Sequence, residues 1–84
     1  MHYERGAFML EKNIRLSSIE QVKSFVNIAM SKGFEVDLYS GKYIVNGKSI
    51  MGIFSIDLTK PIKMVASCDE NDPFASEIEG FICE

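Results

Sequence analysis

Lys48-Ser49-Ile50-Met51-Gly52-Ile53-Phe54-Ser55 sets a serine ahead of a short, intensely apolar run. Serine before such a run reads as a helix N-cap, because its side-chain oxygen accepts one of the free N–H groups of the first turn. The run predicts a short helix whose apolar residues are Ile50, Met51, Ile53, Phe54 and Ile56. So short a helix cannot turn five large apolar residues inward at once. Some are therefore expected on the surface, and contiguous exposed apolar surface marks a partner site.

Upstream, the pattern changes from period three-to-four to period two. Phe34-Glu35-Val36-Asp37-Leu38-Tyr39 alternates apolar and polar residues, as a strand with one buried face does. Ser40-Gly41-Lys42 reads as a turn and Tyr43-Ile44-Val45-Asn46 as the returning strand, ended by Gly47. Before this hairpin, Ile19, Val22, Phe25, Val26, Ala29 and Met30 recur at helical spacing, with Lys23, Asn27 and Ser31 on the other side. Ser17 with Glu20, or Ser18 with Gln21, has the capping-box spacing at its start. Gly33 is expected to close the helix in a left-handed conformation. A first strand is predicted between Phe8 and Leu16, where Ile14 and Leu16 alternate with Asn13 and Arg15. Residues 1–7 show no periodicity and read as a tail or irregular lead-in, leaving 8–84 as the domain.

Downstream, Asp57-Leu58-Thr59-Lys60-Pro61 is a linker and Ile62-Lys63-Met64-Val65-Ala66-Ser67 a last strand. Asp72 followed by Pro73 opens a final helix, since proline at the first helical position sacrifices no hydrogen bond. Phe74, Ile78, Phe81 and Ile82 are its predicted buried side. The order β-α-β-β-α-β-α with a hairpin predicts an α+β fold: an antiparallel four-stranded sheet with three helices on one face.

Bulk properties narrow the function classes. Eighty-four residues make one small domain. Twelve acidic against nine basic side chains, net −3, argue against a nucleic-acid partner. No apolar run approaches the roughly 18 residues of a membrane span, so no membrane partner is expected. The short run Ala7-Phe8-Met9-Leu10 does not make a signal peptide, and the expected compartment is the cytoplasm. Cys68 and Cys83 read as free thiols. Lys23, Lys32 and Lys63 read as solvated exterior. There is no base–nucleophile pair, metal cluster or phosphate-binding glycine loop, so neither an enzyme nor a metal or cofactor is expected.

Val45-Asn46 ahead of Lys48-Ser49-Ile50-Met51-Gly52, with Asp69-Glu70-Asn71-Asp72 before the last helix, resembles the phosphocarrier protein HPr of the bacterial sugar phosphotransferase system. The likeness of element order runs from about Ile14 to Phe81 and implies the HPr open-faced sandwich. It implies further that Ser49 matches the serine phosphorylated in Gram-positive HPr by an ATP-dependent kinase. Ile50, Met51 and Phe54 match residues that dock HPr on enzyme I and on regulators. Lys48 reads first as an ordinary surface lysine, whose charge beside Ser49 could also pair with a phosphate there.

The chain departs from the family at one corner. HPr carries phosphate on the histidine of a Gly-x-His-Ala-Arg-Pro motif at the start of its first helix. Here that corner reads Ser17-Ser18-Ile19-Glu20. A serine hydroxyl without an adjacent base is a poor phosphoryl acceptor, and the charge of Glu20 repels an incoming phosphoryl group. His2, the one histidine in the sequence, lies about fifteen residues upstream and reads as a tail residue. The resemblance therefore implies a non-catalytic regulatory or adaptor protein, similar to catabolite-repression HPr-like proteins. Its implied partners are an HPr kinase, an enzyme I-like protein or a transcriptional regulator. The alternative is a phosphoenolpyruvate-dependent phosphocarrier with a non-standard acceptor.

Overall fold

Alternating strands and amphipathic helices assemble as the periodicities demand. A computed structural model describes residues 9–83; the expected tail 1–7 and Phe8 lie outside them. The elements are β1 (Leu10–Ile14), α1 (Ile19–Met30), β2 (Val36–Ser40), β3 (Tyr43–Asn46), α2 (Ile50–Phe54), β4 (Ile62–Ala66) and α3 (Pro73–Glu77). A 3-10 turn, Glu79–Phe81, follows. The strands form an antiparallel sheet in the order β1-β4-β2-β3. This is the predicted α+β architecture. No helix among the described residues is long and apolar enough to cross a membrane.

The inner face of the sheet carries Leu10, Ile14, Val36, Leu38, Ile62 and Met64, all buried. The helices meet them with Val22, Phe25, Val26, Ile53 and Phe74, joined by Ile78 just after α3. Each such side chain taken from water contributes about 1.5–3 kcal/mol, which is why this face sets the register. Edge-to-face aromatic contacts tie α1 to the 3-10 turn through Phe25–Phe81 at 5.8 Å, and the loop before β2 to α3 through Phe34–Phe74 at 5.4 Å. On the outer face, one cross-strand row is Glu11–Val65–Asp37–Asn46 and the next is Asn13–Lys63–Tyr39–Ile44.

The hairpin turns through Gly41 and Lys42, between the paired residues Ser40 and Tyr43. Gly41 has φ 62°, the left-handed conformation glycine adopts without a steric penalty. Gly47 is buried because it lies against β2: a Cβ there would stand 2.7 Å from Val36 Cγ1. Its N–H donates to the Val36 carbonyl at 2.7 Å.

Five expectations need correction. Ile19 and Met30 do not share the buried face of α1; each is 62% exposed. At 100° per residue they sit about 70° and 90° from the centre of the Val22–Phe25–Val26–Ala29 stripe, on its flank. Gly33 is not a left-handed cap. The helix ends on Ser31 in a right-handed conformation (φ −80°), with its hydroxyl donating to the Ile28 carbonyl at 2.7 Å. The final helix stops at Glu77; Phe81 belongs to the 3-10 turn and Ile82 pairs with Ile14 beside β1. Lys32 is not solvated exterior: its side chain is 17% exposed and its ammonium lies 2.7 Å from Glu77 on α3. Leu16 is buried as expected, but in the loop after β1 rather than in the strand.

Candidate functional site

A β-hairpin, a tight glycine and a capped turn deliver α2 to the surface. The Asn46 side chain accepts from the Lys48 N–H at 2.8 Å, and its carbonyl accepts from the Ser49 N–H at 3.0 Å. The chain is thereby turned out of β3 within three residues. Ser49, with extended backbone, caps α2: its Oγ accepts from the Gly52 N–H at 3.0 Å and its carbonyl from the Ile53 N–H at 3.0 Å. Gly52 leaves room for the cap, since a Cβ there would stand 3.2 Å from Ser49 Oγ; the helix lies on β3 at ordinary contact distance, 3.5 Å from that Cβ position to Val45 Cβ.

The excess of apolar residues resolves as a split. Ile53 is fully buried and Ile56 nearly so, while Met51 is 82%, Phe54 44% and Ile50 38% exposed. The helix ends at Phe54, so Ile56 lies just beyond it and not within it as expected. Ile53 and Ile56 anchor the segment, and the other three cover its outer side. Phe54 also forms one wall of an open groove of about 490 Å³ shared with Arg15, Leu16, Ile19, Leu58 and Thr59. The misplaced Ile19 therefore extends the apolar surface of α2 across to α1. A helical wheel of α1 could have flagged it; nothing local links it to Phe54.

The Lys48 ammonium donates to the Lys32 carbonyl at 2.9 Å, in a partly buried position. This fills one of the free carbonyls after α1 and draws a positive charge to the negative end of the helix dipole. Lys48, Lys32 and Glu77 thus link α2's start, α1's end and α3. The sequence holds no spacing signal for that link, which spans elements distant along the chain.

The corner at the start of α1 is built for capping. Ser18 Oγ accepts from the Gln21 N–H at 3.1 Å. Gln21 Oε1 accepts from Ser17 twice, from its N–H at 2.8 Å and its hydroxyl at 3.0 Å. The side-chain reach goes to Ser17 rather than to the cap's own N–H, a one-residue variant of the capping box. An amide oxygen is not a base, so the Ser17 hydroxyl gains no nucleophilic character from it. Glu20 is exposed in the first turn, where a carboxylate favours the helix dipole.

The remaining polar features are simpler. A second groove, about 400 Å³, lies between β1 and α3, with Glu11, Glu70 and Glu79 around Lys12. Cys68 is buried, which with Asp72 and Asp69 nearby pushes its thiol up and keeps it protonated; Cys83 is exposed, and both are free. The hydroxyl and N–H of Thr59 hold the Asp57 carboxyl below its ordinary value. Among the described residues no group of three His, Cys, Asp or Glu side chains is placed to hold a metal. His2 lies outside them.

No protein-family model and no curated protein matches the chain. Among solved structures it is similar to HPr-C-His from Thermoanaerobacter tengcongensis, with a TM-score of 0.66 and 22% identity. The match covers 88% of this chain and 89% of that one. Likeness at this level is likeness of backbone, and it agrees with the strand order and helix placement above: the chain has the HPr fold.

Proposed function

We propose that this chain is a non-catalytic adaptor related to the sugar phosphotransferase system, which binds a protein partner through α2. The observation that carries the reading is the surface of α2, where Ile50, Met51 and Phe54 stand exposed around the buried anchor Ile53. A five-residue helix held by one buried side chain contributes little to the core. Large apolar groups kept in water on such an element fit an interface better than a stability role. The HPr fold and the serine-led sequence at this helix point to the partners expected from the resemblance: an HPr kinase, an enzyme I-like protein or a transcriptional regulator in the cytoplasm.

Ser49 is the proposed switch of this surface. Phosphate on its hydroxyl adds roughly −1.5 to −2 charges next to Ile50 and Met51. The Lys48 ammonium is engaged at the Lys32 carbonyl, so the new charge faces the partner largely uncompensated. A basic partner surface gains from it and an apolar one loses.

Intact mass after incubation with ATP and an HPr kinase tests the switch, with Ser49→Ala as control. One added phosphate, absent in the control, is expected. A mass unchanged under conditions that phosphorylate an authentic HPr would sink the switch. The adaptor reading is tested separately, by whether Met51→Asp weakens binding to enzyme I or a regulator.

A further inference from the structure

The two edges of the sheet are treated differently. The C-terminal end of the outer edge of β1 is covered: the Arg15 N–H donates to the Phe81 carbonyl at 2.8 Å and the Cys83 N–H to the Asn13 carbonyl at 3.0 Å. β1 itself also carries Glu11 and Lys12. The outer edge of β3 has neither protection. Tyr43-Ile44-Val45-Asn46 contains no charge and no proline, and Tyr43 and Ile44 are 66% and 60% exposed. Natural edge strands usually carry such devices because a bare edge templates pairing with another chain.

The hydrogen-bond parity shows which groups this edge offers. The Gly47 N–H donates to the Val36 carbonyl, and the Glu35 carbonyl accepts from the Ser67 N–H on the β4 side. Even-numbered residues of β2 thus face β3, and their partners on β3 are Tyr43 and Val45. The N–H and carbonyl of Ile44, and the N–H of Asn46, therefore point outward.

We propose that β3 pairs antiparallel with β3 of a second copy, about a two-fold axis at Ile44, joining the two sheets into one of eight strands. At the axis the two Ile44 residues exchange N–H and carbonyl bonds. Their side chains meet on the outer face, and Tyr43 meets the partner's Val45 on the inner one, apolar against apolar. The same register sets Lys42 against the Asn46 of the other copy, whose β2 neighbour is Asp37. Lys42 of each copy thus comes within about two strand spacings, roughly 10 Å between Cα positions, of the opposite Asp37. A two-fold normal to the sheet keeps both helix layers on one side. It brings together the two α2 helices, each packed on its own β3.

Five of the eight large apolar residues left exposed among the described residues lie on β3 and α2. Together they offer on the order of 500 Å² per copy, short of the roughly 800 Å² per partner of a standard stable interface. The dimer should therefore form in the micromolar range or weaker, and it competes with docking of a foreign partner on α2.

Sedimentation equilibrium from micromolar to millimolar chain is the test. The expected mass rises from 9.5 kDa toward twice that value, and Ile44→Lys stays monomeric throughout. Amide hydrogen exchange on the wild type needs no variant: the Ile44 amide should slow at least tenfold at high concentration, and the Tyr43 amide should not change. A wild-type chain that stays monomeric at millimolar concentration overturns the proposal. So does a dimer that survives Ile44→Lys, or one whose Ile44 amide exchanges as fast as in dilute solution.

Discussion

α1 and α2 begin in the same way and end in different roles. Both are capped by a serine whose Oγ accepts the N–H three residues on, at 3.1 Å for Ser18 and 3.0 Å for Ser49. α1 then runs for 12 residues and buries Val22, Phe25, Val26 and Ala29. α2 runs for 5 and buries Ile53 alone. Capping chemistry starts a helix regardless of its later use. What separates the two is how much of each apolar face reaches the sheet. The long helix serves the fold, and the short one holds its surplus out to solvent.

That contrast can be broken most severely at the aromatic positions. Phe25→Ala on α1 should cost about 3–5 kcal/mol, since the ring is fully buried against Phe81. Phe54→Ala on α2 should cost under about 1 kcal/mol, because nearly half of that residue is already in water. Urea titrations of the two variants compare them directly; equal losses would mean that α2 is a core element after all. Next in size is Gly47→Ala, which drives a Cβ into Val36 Cγ1 and its carbonyl. A loss of about 1–3 kcal/mol is expected, as for other overpacked sites. A neutral result in thermal melts would show that the approach to α2 is slack.

Smaller effects sharpen the comparison. Ser18→Ala and Ser49→Ala should each cost about 1 kcal/mol, the usual value of a cap. In partner-binding titrations after kinase treatment, the second should alter affinity and the first should not. Smallest is Met51→Ala, expected within about 0.5 kcal/mol of wild type in stability because the side chain is almost fully exposed. It should still weaken partner binding; if it leaves affinity unchanged, the apolar face of α2 is not the docking surface.

Legibility followed the length of the physical signal. α1 was readable because its stripe repeats over several turns, and the hairpin because period-two alternation brackets Gly41. The two α1 residues read wrongly, Ile19 and Met30, are the terminal ones, where a flank position meets no neighbouring layer. Apolar spacing through Ile82 fits a longer last helix than the one that forms. The backbone instead leaves at Glu77 so that residues 81–83 can cover β1. For the candidate site, surplus apolar residues after Ser49 announced exposure without saying which would be exposed.

Strand and helix periods, caps and turn residues are local properties, so the α+β order and both serine caps could be read along the chain. The partition of the α2 segment into the anchor Ile53, with Ile56 just beyond the helix, and the exposed Ile50, Met51 and Phe54 depends on where the sheet and α1 end beneath it. The same holds for Lys48 reaching Lys32, for Ile19 joining the wall of Phe54, and for the bare edge of β3. Each of these is a meeting of segments remote in sequence, and only packing in three dimensions decides which surfaces are covered.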